Sequence, residues 1–556
     1  MHRSSFHLSS LLLLALSAVP RLAAQPSVAA VENAASNIDP RMPNSGIAQG
    51  AIFVIYGTGM GPANAVVAPV PFQSTTLSNT SVSVTVGGTT VSAPLYYTSA
   101  TQVAALLPSN TPAGTGSVTV TYNGQTSAKA NITVVANNLA LFTIDSSGTG
   151  PAIVTYSDYS LVSPYKAANC GGPNTNCGAA NPGDVLILWA TGLGPVSGND
   201  TSGAGLGQNM PNIPLSVWLG GVQAQVTYQG RSGCCVGEDQ IVVTVPNNSP
   251  TGCAVPLVVL INNQVSNSTA MPVAAKGSRT CQEVSLPGFD TSQLSSLTSF
   301  SLGDAELDRL SNDSGNGYVD SAQSFFAKIS GLPALTQAFL PSYLDNAPIG
   351  TCTVIGAKAP SSLFFNNLIN NGYVSLLDAG SGITVNGPKG SMNVPITGNR
   401  ETLSASGAFL VPGDYTITGT GGKDVGPFTA HITIPVTPTL TSPASPNGVS
   451  ITRSKGFTVT WNSNGSTGHV EIVISAYVDP NTAAQATCTA PANAGSLTIP
   501  PYVLLALPAT NSANLGFQPG DQGPPAFGGT FTANGINLGI ASAFIDAVGF
   551  GGVTLN

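Results

Sequence analysis

The sequence predicts an all-β protein of tandem immunoglobulin-like β-sandwiches, with a small mixed segment carrying short helices near residues 285–345. Three observations predict it. A long stretch of the chain occurs twice, short runs alternate apolar and polar residues between glycine-rich turns, and little of the chain carries a helical period.

The repeat appears when residues 50–127 are laid against 183–266. Gly50 to Pro62 matches Gly183 to Pro195 at an offset of 133, and Val82 to Gly88 matches Leu215 to Gly221 at the same offset. Gln102 to Pro108 then matches Gln240 to Pro246 at an offset of 138, so the second copy has gained five residues where Cys234-Cys235 lies. Within a copy, Val82, Val84 and Val86 fall on one face of a strand and Ser83 and Thr85 on the other. Gly87-Gly88 supplies a tight hairpin turn. About 100 residues of such strands read as an immunoglobulin-like sandwich.

Several segments carry a resemblance: Val31 to Ser36, Tyr56-Gly57-Thr58-Gly59, Ala93 to Val103, and Ala190-Thr191-Gly192-Leu193-Gly194-Pro195. Together they resemble a family of secreted proteins from acidobacteria related to the TIG/IPT immunoglobulin-like modules. The second copy adds a Cys-Cys-x-Gly-x-Asp-Gln motif, Cys234 to Gln240, followed by Gly252-Cys253, as in a cysteine-bearing branch. The resemblance covers residues 28–281 and implies a fold; its motifs are turns and strands and bring no active site.

The organisation expected along the chain follows. Arg3, the apolar run Leu11 to Val19 and the small residues Leu22-Ala23-Ala24 have the layout of a secretory signal peptide over residues 1–24, cut before Gln25. The first sandwich is expected over 25–137 and the second over 138–281. Residues 282–437 read as a mixed segment leading into a β unit, with helices near Thr291–Leu297, Ser321–Ile329 and Pro333–Phe339. A fibronectin-like β unit is expected over 438–556, packed either separately from the preceding unit or with it as one body.

Composition points outside the cell. Only 7% of the chain is charged, with 63 Gly and 42 Pro, so solubility must come from Ser, Thr, Asn and Gln. Without residues 1–24 the chain has 14 basic against 24 acidic residues, a net charge of −10. An acidic chain without basic clusters argues against nucleic acid or anionic membrane as partners. No later stretch approaches the ~18 apolar residues of a membrane span.

Eight cysteines in an exported chain read as disulfides: Cys170, Cys177, Cys234, Cys235, Cys253, Cys281, Cys352 and Cys488. Metal binding is the competing reading, without a CxxC pair and with His431 and His469 remote in sequence. Cys170 with Cys177 is expected, as is Cys352 with Cys488 by elimination. Cys234, Cys235, Cys253 and Cys281 are expected to form two bonds among themselves, with no bond between the adjacent pair.

Catalytic equipment is sparse, and no catalytic, cofactor or metal residue is assigned. There is no GxSxG elbow, and His431 reads as a solvent-facing strand residue. A glycosidase needs facing carboxylates about 5–10 Å apart. Glu238-Asp239 and the trio Asp304, Glu306 and Asp308 read as loop charges instead. Asn312 to Asp320 superficially resembles an EF-hand loop, but its twelfth position is Gln323, which lacks the bidentate carboxylate. Trp189 and Trp461 read as core. Trp218 alternates with Leu215, Val217 and Leu219 and so points outward, as a ligand-binding candidate or a domain-packing residue. The leading expectation is a secreted or cell-surface structural and binding protein, with extracellular polysaccharide or surface proteins as partners. The alternative is an extracellular hydrolase centred on residues 282–450.

Overall fold

The computed structural model describes residues 25–165, 177–199, 207–282, 297–311, 318–344, 347–357, 368–369, 371–396, 401–404, 407–466, 468–480, 482–519, 529–545 and 548–556. The expected signal peptide, Cys170, the segment Thr291 to Ser296 and the EF-hand-like positions 312–317 lie outside them. The chain is about 53% strand and 5% helix, which makes it all-β.

Alternation builds the first sandwich. In the strand Thr80–Val86, Val82, Val84 and Val86 are 0–3% exposed while Ser81, Ser83 and Thr85 stay half-exposed. Gly87 and Gly88 both take positive φ, +56° and +83°, the backbone a two-residue primed hairpin turn demands. Two sheets face each other. One contains Ser27–Asn33, Ile52–Thr58, Leu95–Thr98 and Gln102–Leu106, and the other Thr80–Val86, Gly114–Tyr122 and Ala130–Val135. Phe53, Ile55, Leu95 and Val103 meet Val82, Val84, Val118 and Val134 in the core between them.

The second sandwich is one sheet of 11 strands folded over on itself. The strand Val222–Arg231 pairs with Leu215–Leu219 on one side and Asp239–Thr244 on the other, with a bulge between Val226 and Tyr228. A bulge increases local twist and bends the strand. Leu186, Leu188 and Ile241 thereby face Val217, Val255 and Met271.

The repeated glycine turn has the same plug in both copies. Met60 and Leu193, each between two glycines, are both 0% exposed. Gly192 sits at φ +102°, and a Cβ there would lie 2.1 Å from the Asn138 carbonyl oxygen. Only glycine satisfies both constraints.

The C-terminal half departs from the expected boundary near residue 437. The strand Ser299–Ser311 pairs in parallel with Leu538–Ile545, and Cys352–Ala357 pairs with Thr482–Pro491. Strands from both sides of residue 437 therefore share two sheets and form one body. Two smaller sheets cover these: one around Ile383, Tyr415 and Ile432, packed on Leu307 and Phe326, the other around Val459 and Trp461, packed on Ile472 and Phe517.

The helix expected over Ser321–Ile329 is a strand, Tyr318–Ser330, paired residue for residue with Ser299–Ser311. Ala322, Phe325, Phe326 and Ile329 recur at i, i+3, i+4 and i+7, which imitates an amphipathic helix. Pairing along 13 residues overrides that local signal. Helices do form at Ala334–Ala338, after Pro333, and at Leu340–Leu344.

The cysteines pair partly against expectation. Cys253 is bonded to Cys281 and Cys352 to its directly opposite neighbour Cys488, with Cα atoms 5.1 and 4.0 Å apart. Cys177 is also disulfide-bonded. The adjacent Cys234 and Cys235, expected to bond elsewhere, bond each other, because Cys253 and Cys281 already close a separate buried cluster with Ala179 and Ala274.

Around the glycine turn of the second copy lies a buried ion pair. Arg231 Nε and Asp239 Oδ1 are 2.8 Å apart, with side chains 2% and 0% exposed. Asp239 Oδ2 accepts the Leu193 amide at 2.7 Å, and Arg231 donates to the Gly194 carbonyl at 3.1 Å. Thr191 joins the two sandwiches, accepting the Ile52 amide at 2.9 Å and donating to the Gly237 carbonyl at 2.7 Å. Replacing Asp239 with Ala strands a buried guanidinium, so we predict that Asp239→Ala lowers unfolding free energy by about 3–5 kcal/mol. Urea denaturation measures it, and a loss below about 1 kcal/mol would contradict a sealed pair.

Candidate functional site

Trp218 does point outward from its own sheet, but that face is covered. Its ring stacks on Tyr502 at 5.2 Å and 26°, its indole N–H donates to Ser216 Oγ at 3.1 Å, and it packs with Val258 and Leu260 on the C-terminal core. Of the two roles expected for Trp218, these contacts favour domain packing: the half-buried ring joins the second sandwich to the C-terminal body.

Trp189, read as core, is corrected. The strand Val185–Thr191 buries Leu186, Leu188 and Ala190, which leaves Val185, Ile187 and Trp189 on the outer face. A nearly continuous apolar run gave no alternation from which to read this. Thr155 Oγ1 accepts the indole N–H at 3.0 Å and fixes the ring. Beside it the turn Tyr156 to Ser160 closes with the Tyr156 amide donating to the Ser160 carbonyl at 2.9 Å. That turn puts Tyr159 at φ +64° and leaves it 65% exposed, its ring centroid 6.2 Å from that of Trp189 and tilted by 42°.

Polar groups frame the two rings. Gln240 lies directly across from Trp189, and Val242 and Thr244 continue the face opposite Ile187 and Val185. The neighbouring Asp158 carboxylate accepts the Ser160 hydroxyl at 2.6 Å and the Ser160 amide at 3.0 Å, and these bonds hold its pKa below the ordinary value. From Val185, 50% exposed, to Trp189 the stripe runs about 13 Å at the usual strand rise. A surface of this kind can stack on a flat apolar ligand face while offering hydrogen-bond groups at its rim.

The other candidates fall into distinct places. Asp304, Glu306 and Asp308, expected on a loop, lie on one face of the strand Ser299–Ser311. Glu306 accepts from Gln323, and burial, then the Glu306 charge, raises Asp304 to about 7. Asp320 is a structural group that pairs with Arg309 at 2.8 Å and accepts the Phe409 and Leu410 amides. His431 faces out of its strand as expected. His469 is buried and pushed down to about 4 by desolvation. Its neighbour Glu471, 2% exposed, accepts from Gln518 at 3.0 Å and is pushed up to about 7 by burial. A cleft of about 360 Å³ between the two sandwiches is lined by Asn137, Pro195, Gln208, Met210 and Ile213. Among the described residues, one group has donor atoms close enough to share a metal ion: Cys234, Cys235 and Glu238.

Residues 36–158 match the family described as IPT/TIG domain. The match takes in the first sandwich beyond its opening strand Ser27–Asn33 and reaches the turn that carries Asp158. No curated protein matches the chain. Among solved structures it is similar to SGBP-B of the Bacteroides ovatus mixed-linkage glucan utilization locus, in complex with a mixed-linkage heptasaccharide. That similarity is at 10% identity and TM-score 0.19, covering 65% of each chain, so this chain spans under two thirds of that protein. It is also similar to domains 5-6 of the S-layer protein SbsC, at 14% identity and TM-score 0.17, covering 45% of this chain and 99% of that one. No helix among the described residues is long and apolar enough to cross a membrane.

Glu471 generates a pH dependence. Its folded pKa lies above its unfolded value near 4.5, so its stabilisation is complete below that value and is lost as pH rises through about 7. A shift of this size is of order 3 kcal/mol. We predict that the melting temperature falls between pH 5 and pH 8, and that Glu471→Gln flattens the fall. An unchanged slope in the variant would assign the dependence elsewhere.

Proposed function

We propose that this protein is a secreted or surface-attached binding protein for extracellular polysaccharide, with the Tyr159–Trp189 face of the second sandwich as its sugar platform. One observation carries the reading: two neighbouring aromatic rings, Trp189 half-buried on the outer side of its strand and Tyr159 65% exposed on the turn beside it, with centroids 6.2 Å apart. Exposed aromatics on a soluble surface cost free energy unless they meet a partner. A pyranose ring suits this partnership, because its C–H face stacks on an aromatic ring while its hydroxyls bond to groups such as Asp158 and Gln240. The low charge of the chain fits a neutral polymer better than an ionic one.

The test is binding of the mature protein to a glycan array and to immobilised neutral polysaccharides. Tyr159→Ala is expected to weaken binding at least tenfold, with the melting temperature unchanged because Tyr159 supports no core. Trp218→Ala is expected to leave affinity within twofold. Added salt is expected to change little, since no ion pair is involved. Absence of glycan binding by the unaltered protein, or full binding by Tyr159→Ala, would overturn the proposal.

A second reading as an extracellular hydrolase rests on Asp304 and Glu306. They lie two positions apart on one face of a strand, about 6.6 Å apart at Cα by strand geometry, and both are half-buried. Asp304 is raised to about 7, the split of carboxyl environments that acid–base pairs use. Polysaccharide cleavage abolished by Asp304→Asn would favour it.

A further inference from the structure

The adjacent cysteines of the second sandwich form a site that the glycan platform does not use. Cys234 and Cys235, with Cα atoms 3.8 Å apart, sit at the tip of the loop between Arg231 and Asp239. Cys234 is exposed and Cys235 half-buried, whereas Cys253, Cys281 and Cys488 are 0–1% exposed. Ser232 Oγ lies 3.0 Å from Cys234 Sγ, and both sulfur atoms and a Glu238 carboxylate oxygen lie within 4.8 Å of one another.

Both ends of the loop are fixed independently of the S–S bond. The buried Arg231–Asp239 pair closes its base, and the Ser232 amide donates to the Glu238 carbonyl at 2.8 Å. The Val236 carbonyl accepts from Tyr96 of the first sandwich, and the Gly237 carbonyl from Thr191. Opening the disulfide therefore leaves the three donor groups converged, so little chain entropy opposes their meeting a common ligand.

We propose that Cys234, Cys235 and Glu238 form a reduction-gated site for a thiophilic divalent cation of the zinc and cadmium class. A small-molecule dithiol reduces the Cys234–Cys235 bond by two electrons and two protons and is itself oxidised to its disulfide. The cation then displaces the two thiol protons and binds two thiolates and one carboxylate oxygen, with a fourth position left to water. Two thiolates and a carboxylate select such a cation over Mg²⁺ or Ca²⁺, which prefer all-oxygen shells. In the oxidised protein both sulfur atoms are committed to each other, so the site is closed. Exposure decides the order: a limited reductant reaches Cys234 before the buried pairs.

The full mature protein tests this. After brief treatment with a limiting dithiol and its removal, alkylation and peptide mapping are expected to label Cys234 and Cys235 and to spare Cys253, Cys281, Cys352 and Cys488. Titration with Cd²⁺ is then expected to show one equivalent bound, with thiolate-to-metal absorption in the near ultraviolet, and none for the oxidised protein. Glu238→Gln is expected to retain that absorption while weakening binding at least about tenfold. The double variant Cys234→Ser with Cys235→Ser is expected to keep its melting temperature within a few degrees and to bind no Cd²⁺. Labelling of the buried pairs first, no Cd²⁺ binding by protein with both thiols free, or undiminished binding by Glu238→Gln would each overturn the proposal.

Discussion

The Arg231–Asp239 ion pair, sealed from water where the second sandwich meets the first, is the constraint from which much of the N-terminal half takes its geometry. A carboxylate and a guanidinium at 2% exposure or less are tolerable only if their remaining hydrogen-bonding capacity is met. The backbone of the glycine turn meets much of it, the Leu193 amide on one side and the Gly194 carbonyl on the other, while the buried Arg231 Nη1 is left without a hydrogen-bond partner. The same turn lies against the Asn138 backbone because Gly192 has no Cβ. Thr191, held beside the pair by donating to the Gly237 carbonyl, then accepts the Ile52 amide of the first sandwich. A polar contact thus sets the relation of two apolar bodies, which dispersion alone leaves free to slide.

A chain that is 7% charged must stay soluble by other means, and the sheets show how. Their outer faces carry threonines in directly opposed positions that hydrogen-bond across strands: Thr85 to Thr90, Thr121 to Thr126 and Thr458 to Thr498, each at 2.8–2.9 Å. β-Branched hydroxyl residues favour the extended backbone and wet the surface together. Against that background the outward Val185, Ile187, Trp189 and Tyr159 stand apart, since their strand spends the same face on apolar groups.

The same economy explains where charge survives. Arg231–Asp239 and Arg309–Asp320 each link directly opposed residues of paired strands, and Arg279–Asp184 ties a loop to the residue that precedes the strand Val185–Thr191. Carboxyls without a cation, Asp304 and Glu471, are instead raised toward neutrality by burial. With few charges to spend, the chain uses them as fasteners, and the surfaces left for recognition are aromatic, amide and hydroxyl.

The sequence by itself determined the all-β class, the duplication and the inward faces wherever polar and apolar residues alternate, as at Val82, Val84 and Val86. It also placed Trp218 outward, through its equivalence to Thr85. Those features are local: a period of two and a glycine at a required positive φ are written into neighbouring residues. The tertiary structure decided the rest. Tyr318–Ser330 carries a helical pattern and is a strand, because the partner that fixes it is another strand, from Ser299 to Ser311, to which it pairs along its whole length. Trp189 reads as core and lies half-buried on the outer face of its strand, because an unbroken apolar run does not say which face will be covered. Trp218 is outward and yet packed, because Tyr502 reaches it from 284 positions along the chain. Which faces meet depends on contacts distant in sequence, and no local period encodes them.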